Sequence, residues 1–111
     1  MKKILTKELL KDAYHLESIG INEYAWKIDE VMQVIDYLKN NRFLILGGDV
    51  YGINNNTIQI TGDSWYINKN DYESIEKSFQ ASIVLAINYI KKYNKLNGDN
   101  YLYSLVFTKI S

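Results

Sequence analysis

The sequence predicts an α+β fold in which helices pack on a small, mostly antiparallel sheet, in the order α-α-β-β-α-β. Three observations predict this class. Apolar residues recur at helical spacing over the first forty residues, a glycine-interrupted hairpin follows, and a long amphipathic segment precedes one last strand. The chain has 111 residues with neither a Gly/Ser-rich linker nor an internal repeat, so we expect a single domain over residues 1–111.

Two helices are expected at the N-terminal end. The first covers Thr6–Ser18, because Thr6 can cap its start and Gly20 can end it. The second covers Asn22–Asn41, where the apolar positions form one continuous arc at 100° per residue. Both helices are therefore expected to bury one face against the rest of the domain.

A second stripe of side chains lies nearly opposite the apolar arc of this second predicted helix. Its members are spaced four, three and four residues apart: Trp26, Glu30, Gln33 and Tyr37. A Trp and a Tyr that face away from the core need something to cover them. Either the N-terminal segment packs over them, or they form a binding face with aromatic anchors.

The period changes after the second helix, and residues 43–67 predict an antiparallel hairpin with its turn at Asn54–Asn56. Gly47-Gly48 interrupts the first arm and Gly62 interrupts the second. A glycine inside a strand marks a bulge or a close approach of another backbone. We expect the two interruptions to be neighbours in space.

A third helix is expected from Asn70 or Asp71 to about Tyr93, lying across the sheet as the central core element. A final strand is expected over Tyr101–Phe107, after a turn signal at Asn97–Asn100. The apolar face of the third helix comprises Phe79, Ile83, Ala86, Ile87 and Ile90.

Composition excludes several classes of function. With 13 basic and 13 acidic residues the chain has no net charge, which argues against binding nucleic acid by neutralising phosphates. The absence of Cys and the single His exclude thiol catalysis, Cys-based zinc sites and any mechanism that needs two histidines. No segment is long and apolar enough for a membrane span or a signal peptide. We therefore expect a cytoplasmic protein without a cofactor or metal.

Asp49 and Asp63 are the best candidates for acid–base chemistry, because each stands beside a glycine at an interruption of the hairpin. Aspartate in such a place also commonly accepts hydrogen bonds from nearby backbone amides in a turn. A small enzyme or ligand-binding domain that uses this pair is the alternative function that the residues leave open.

The charges are unevenly distributed along the chain. Residues 12–36 contain six acidic residues against one lysine, a local balance of −5. Such a stretch is either the solvated face of a helix or a patch that steers a basic partner. The pattern alone leaves both interpretations open.

Four segments resemble the immunity protein 40 family of bacterial polymorphic toxin systems: Ile21–Trp26, Ile45–Tyr51, Asp63–Tyr66 and Ser82–Tyr93. The resemblance begins near Gly20 and covers most of the chain from there. Its most specific part is the run Leu-Gly-Gly-Asp-Val-Tyr at residues 46–51, with Trp65 downstream.

This resemblance implies a small cytoplasmic α+β protein that catalyses no reaction and instead binds and blocks a cognate toxin domain. Gly47, Gly48 and Trp65 are expected to be a structural motif. The candidates for contact with the toxin are Trp26, Glu30, Tyr37, Asp49, Tyr51, Asp63 and Tyr66. A third alternative is a subunit that forms a homodimer through the stripe that contains Trp26.

Overall fold

The computed structural model describes residues 5–110 and confirms the α+β class. Two short 3-10 turns, Leu16–Ile19 and Lys69–Asp71, connect some of its elements. The helices and strands follow in chain order: α1 (Lys7–Leu10), β1 (Tyr14–His15), β2 (Tyr24–Ala25), α2 (Ile28–Asn40), β3 (Phe43–Asn54), β4 (Thr57–Tyr66), α3 (Ile75–Asn97), β5 (Tyr101–Tyr103) and β6 (Val106–Lys109).

β3 is the central strand of the main sheet, and all of its partners are antiparallel. It pairs with β4 along one edge. Along the other edge it pairs with β5 near the hairpin turn and with β6 near its own beginning. The expected final strand is thus split at Ser104, whose N–H donates to the carbonyl of Asp49 at 3.0 Å.

The helices α2 and α3 cover one face of this sheet and enclose the main core. The predicted apolar face of α3 is confirmed, since Phe79, Ile83, Ala86 and Ile90 are buried and Ile87 is partly buried. The helix begins later than expected, because Ser74 caps it by accepting a hydrogen bond from Lys77 N–H. Within residues 5–110 no helix combines the length and apolarity that crossing a bilayer requires.

The opposite face of the sheet carries a smaller cover made by residues 14–25. β1 and β2 pair there as a two-stranded ribbon, and the 3-10 turn between them ends at Gly20 with φ +81°. Leu16 and Ala25 are fully buried against Tyr51 and Leu102 of the sheet. This second core occupies only the half of the sheet that is nearest the hairpin turn.

The expected helix over Thr6–Ser18 is wrong beyond its first turn. Thr6 does cap a helix, by accepting a hydrogen bond from Leu9 N–H, but that helix ends at Leu10. Leu9 packs into the main core, whereas Leu16 is buried on the far side of the sheet. One continuous helix could not deliver apolar side chains to both faces, so the chain crosses between them.

The second expected helix starts six residues later than its predicted start at Asn22. Trp26 and Tyr103 exchange both backbone hydrogen bonds, at 3.0 and 2.8 Å, which holds Trp26 in an extended bridge. Its side chain is only 2% exposed, and its indole N–H donates to the carbonyl of Leu9 at 2.9 Å. The N-terminal segment therefore covers this Trp, as one of the two interpretations expected, and its ring is not exposed as an aromatic anchor.

Candidate functional site

The hairpin turn lies where it was expected, at Asn55-Asn56, and the two interruptions are close together. Three residues of β4, Thr61–Asp63, stand opposite the single residue Val50 of β3. The Thr61 hydroxyl donates to Val50 O at 2.7 Å and accepts from Asp63 N–H at 3.0 Å. These bonds fix a bulge next to the pairs Asp49–Ser64 and Gly48–Trp65.

The paired glycines allow close approaches that a side chain would prevent. A Cβ atom at Gly47 would lie 2.2 Å from the carbonyl oxygen of Trp65. At Gly48 it would lie 2.0 Å from Ser104 O and 2.5 Å from the Trp65 ring. The buried Trp65 ring also stacks on Tyr89 of α3, with 4.9 Å between the ring centroids. The glycines therefore let the strands and the Trp65 ring pack together.

On the face turned away from α3, the same strands leave a surface that residues 14–25 do not cover. Side chains alternate along a strand, so Ser64 and Tyr66 point opposite to Trp65 and share a face with Asp49. Val106 joins them, because it pairs with Gly47. We call Asp49, Ser64, Tyr66 and Val106 the open sheet face.

The open sheet face is both exposed and shallow. Tyr66 is 80% exposed and Val106 is 43% exposed, and the two lie on either side of Gly47 on neighbouring strands. Two shallow depressions of about 270 and 180 Å³ adjoin at Asp49, and the second extends to Tyr51 and Asp63. A broad face of this kind suits a protein partner better than a small molecule.

Glu23, in the segment that covers the other half of the sheet, is close enough to Asp49 for the two carboxylates to interact electrostatically. Partial burial and the negative charge of Asp49 raise the pKa of the Glu23 carboxyl. Burial, together with the same two carboxylates, raises the pKa of the Tyr51 hydroxyl. Within residues 5–110, neither Glu23 nor Asp49 forms an ion pair. The two negative charges are therefore not neutralised by a cation of this part of the chain.

Asp63 lines the smaller depression together with Asp49, and it also contacts α3. Its carboxylate accepts a hydrogen bond of 2.7 Å from the hydroxyl of Tyr93. Burial and this bond raise the pKa of Tyr93 to about 12. Tyr93 also packs edge-on against Tyr101 and Tyr103. The hydroxyl of Tyr103 is buried and has no hydrogen-bond partner among residues 5–110, and burial raises its pKa.

Asp49 and Asp63 both line the smaller depression, but they act on different neighbours. Asp49 shifts the pKa of Glu23 and Tyr51, whereas Asp63 shifts the pKa of Tyr89 and Tyr93. The part of the chain that the structure describes also contains no group of three potential metal ligands among its His, Asp and Glu residues.

Tyr51 is buried in the smaller core and lines the smaller depression next to Asp49. The remaining candidates lie apart from the open sheet face, and Trp26 is buried in the main core. Tyr37, on α2, is half-buried against the main core. Glu30 lines a separate polar depression together with Lys11 and Lys27.

Sequence reasoning did not select Glu23, Ser64 or Val106 as site residues. Ser64 could have been inferred from the strand register, because it pairs with Asp49. Val106 reaches the site only through the pairing of β6 with β3, which no local motif predicts. Glu23 lies in the acidic stretch of residues 12–36, but nothing in that stretch indicates that it interacts with Asp49.

Comparison with known proteins identifies a family. A family model described as immunity protein 40 matches residues 15–107, a span that contains Glu23 and the entire open sheet face. Neither a curated protein nor a solved structure matches the chain significantly.

Proposed function

The chain belongs to the immunity protein 40 family, and from this membership we propose that it binds a cognate toxin domain and neutralises it by covering the toxin's active site. In this proposal the protein catalyses no reaction, needs no cofactor and acts in the cytoplasm of the cell that it protects. The observation that carries the proposal is the exposed Tyr66 beside Asp49, on a sheet face that nothing in residues 5–110 covers.

The rigidity of the open sheet face supports this role. The bulge hydrogen bonds of Thr61 and the close approaches at the paired glycines hold the backbone beneath Tyr66 in one arrangement. A partner that docks on a preformed surface loses less conformational entropy than one that must order it. Tyr is also among the residues that most often dominate binding energy at interfaces.

The available area is sufficient for tight binding. A standard interface buries about 800 Å² on each partner, roughly a ninth of the 6954 Å² of accessible surface of this chain. The open sheet face supplies the centre of such a patch, and the exposed Ile60 of β4 extends it toward the hairpin turn.

The test is growth rescue combined with a binding measurement against the toxin domain encoded beside this chain. We expect Tyr66→Ala to weaken binding by roughly 30-fold or more, the effect of losing an interface hot spot of about 2 kcal/mol. Tyr72→Ala is the matched control, since Tyr72 is also partly exposed but borders a depression beside α3. Circular dichroism should show both variants folded.

Each outcome has a distinct meaning. If the unaltered protein neither binds the toxin domain nor rescues growth, the proposed function is wrong. If it does both and Tyr66→Ala matches the unaltered protein, while a change at Glu30 or Tyr37 abolishes binding, the toxin docks on α2 instead.

A further inference from the structure

The open sheet face combines an aromatic rim with negative charge that no cation of residues 5–110 balances. None of the described residues lining its two depressions is basic. Some basic side chains form ion pairs away from this face: Arg42 pairs with Glu76, and Lys77 pairs with Glu73. The surface therefore presents Asp49 on the same face as Tyr66, and Glu23 adds a second negative charge that interacts with Asp49.

This arrangement is unfavourable in the free protein and favourable in a complex with a partner of opposite charge. Two neighbouring carboxylates repel each other, and partial burial adds a desolvation cost for Glu23. A cation from a partner would remove the repulsion and gain charge-assisted hydrogen bonds. Its aliphatic stem could lie against the exposed Tyr66 ring, a contact that cations make readily with aromatic faces.

We propose that the open sheet face recognises a positively charged segment of the toxin, with one cationic side chain seated at Asp49 and beside Tyr66, where the charge of Glu23 adds to the attraction. The inference rests on the proposed function and adds to it the chemistry of the surface that is recognised. The neutral charge of the whole chain is compatible with this, because complementarity at an interface depends on local charge.

The first measurement is the affinity for the purified, catalytically inactivated toxin domain over a series of salt concentrations. We expect Asp49→Asn and Glu23→Gln each to weaken binding by roughly 10-fold and to reduce its salt dependence. Asp29→Asn is the matched control, since Asp29 lies exposed in the first turn of α2. Because Glu23→Gln removes a repulsion, that variant should be at least as stable as the unaltered protein. A loss of binding in this variant then cannot be attributed to unfolding.

The second measurement is chemical modification of the toxin's arginines and lysines, followed by mass spectrometry. We expect the unaltered protein to protect one cationic residue of the toxin from modification. The Asp49→Asn variant should no longer protect that residue. If Tyr66→Ala loses binding while both carboxylate variants bind normally, this inference is overturned and the proposed function stands. If the unaltered protein does not bind the toxin, the proposed function fails. If light scattering shows self-association that Tyr66→Ala abolishes, a second copy of the chain is the occupant and the inference is overturned.

Discussion

At the scale of single residues, Gly47 and Gly48 differ from Gly52 on the same strand in the space that a side chain would have. A Cβ at Gly48 would overlap both Ser104 O and the Trp65 ring, whereas a Cβ at Gly52 would meet only a Tyr101 ring carbon at 3.9 Å. Backbone atoms and a buried indole cannot move aside cheaply. Position 48 therefore tolerates no side chain in this packing.

We expect Gly48→Ala to lower the free energy of unfolding by at least about 3 kcal/mol, the upper range for overpacking a core. Urea denaturation is the measurement. Gly52→Ala is the control and should change the stability by less than about 0.5 kcal/mol. Equal stability of the two variants would contradict the close approach of Ser104 and Trp65 to Gly48.

The residues of the candidate site show what a sequence can predict at this scale. Asp49 and Tyr66 could be chosen as candidates from the sequence alone, because each follows directly on a conspicuous residue. Asp49 follows Gly48, and Tyr66 follows Trp65. Trp26 was selected because helical spacing placed it opposite the apolar arc of the second predicted helix. It is buried instead, because its surroundings come from Leu9 and Tyr103. Exposure depends on which distant segment covers a residue, and a local pattern does not contain that information.

At the scale of elements, the hairpin turn is built from two residues in the left-handed region. Asn55 and Asn56 have φ values of +51° and +66°, as a two-residue type I′ turn requires. Asn tolerates this conformation better than most residues, but glycine at the second position suits it best.

We expect Asn56→Gly to raise the stability by about 0.5 kcal/mol and Asn56→Val to lower it by about 1–2 kcal/mol, since a β-branched residue is strained there. Asn88→Gly is the matched control, because Asn88 is exposed within α3, where glycine is unfavourable. Thermal unfolding of the three variants provides the comparison. If Asn56→Gly destabilised the protein as Asn88→Gly does, the turn geometry would be contradicted.

The elements that could be predicted are those stabilised by contacts near in sequence. The hairpin and the apolar face of α3 depend on turn residues and on periodicity, and both are confirmed. The prediction of a long N-terminal helix was wrong, because Leu9 and Leu16 pack into different cores on opposite sides of the sheet. Their spacing is helical, but the tertiary structure overrides that preference.

At the scale of the whole molecule, buried tyrosines connect α3 to the sheet. Tyr89, Tyr93 and Tyr103 all have a raised pKa, caused first by burial, and so does Tyr51 on the other face. An unfolded tyrosine ionises near pH 10, whereas Tyr93 in the folded protein holds its proton to about pH 12. Above pH 10 the folded state therefore binds more protons than the unfolded state, and its stability falls as the pH rises.

We expect the urea midpoint to decrease steadily between pH 10 and pH 12. Tyrosine ionisation, measured by absorbance, should occur together with unfolding. Tyr93→Phe should make this decrease less steep and, at pH 7, cost about 1 kcal/mol for the lost hydrogen bond to Asp63. Tyr66→Phe is the control, because Tyr66 is 80% exposed. Identical pH profiles for Tyr93→Phe and the unaltered protein would contradict the arrangement around Asp63.

The position of β3 at the centre of the sheet also has a consequence for protein synthesis. β4 follows β3 closely and can pair with it early, but the other edge of β3 stays unpaired until residues 101–109 have been made. An unpaired strand edge can form hydrogen bonds with a strand of another chain. The nascent chain therefore passes through a stage on the ribosome at which it is prone to aggregate. Val106 also joins the open sheet face only when β6 has docked. The surface proposed to hold the toxin is thus completed late in translation, and protection of the cell should lag behind synthesis of the hairpin itself.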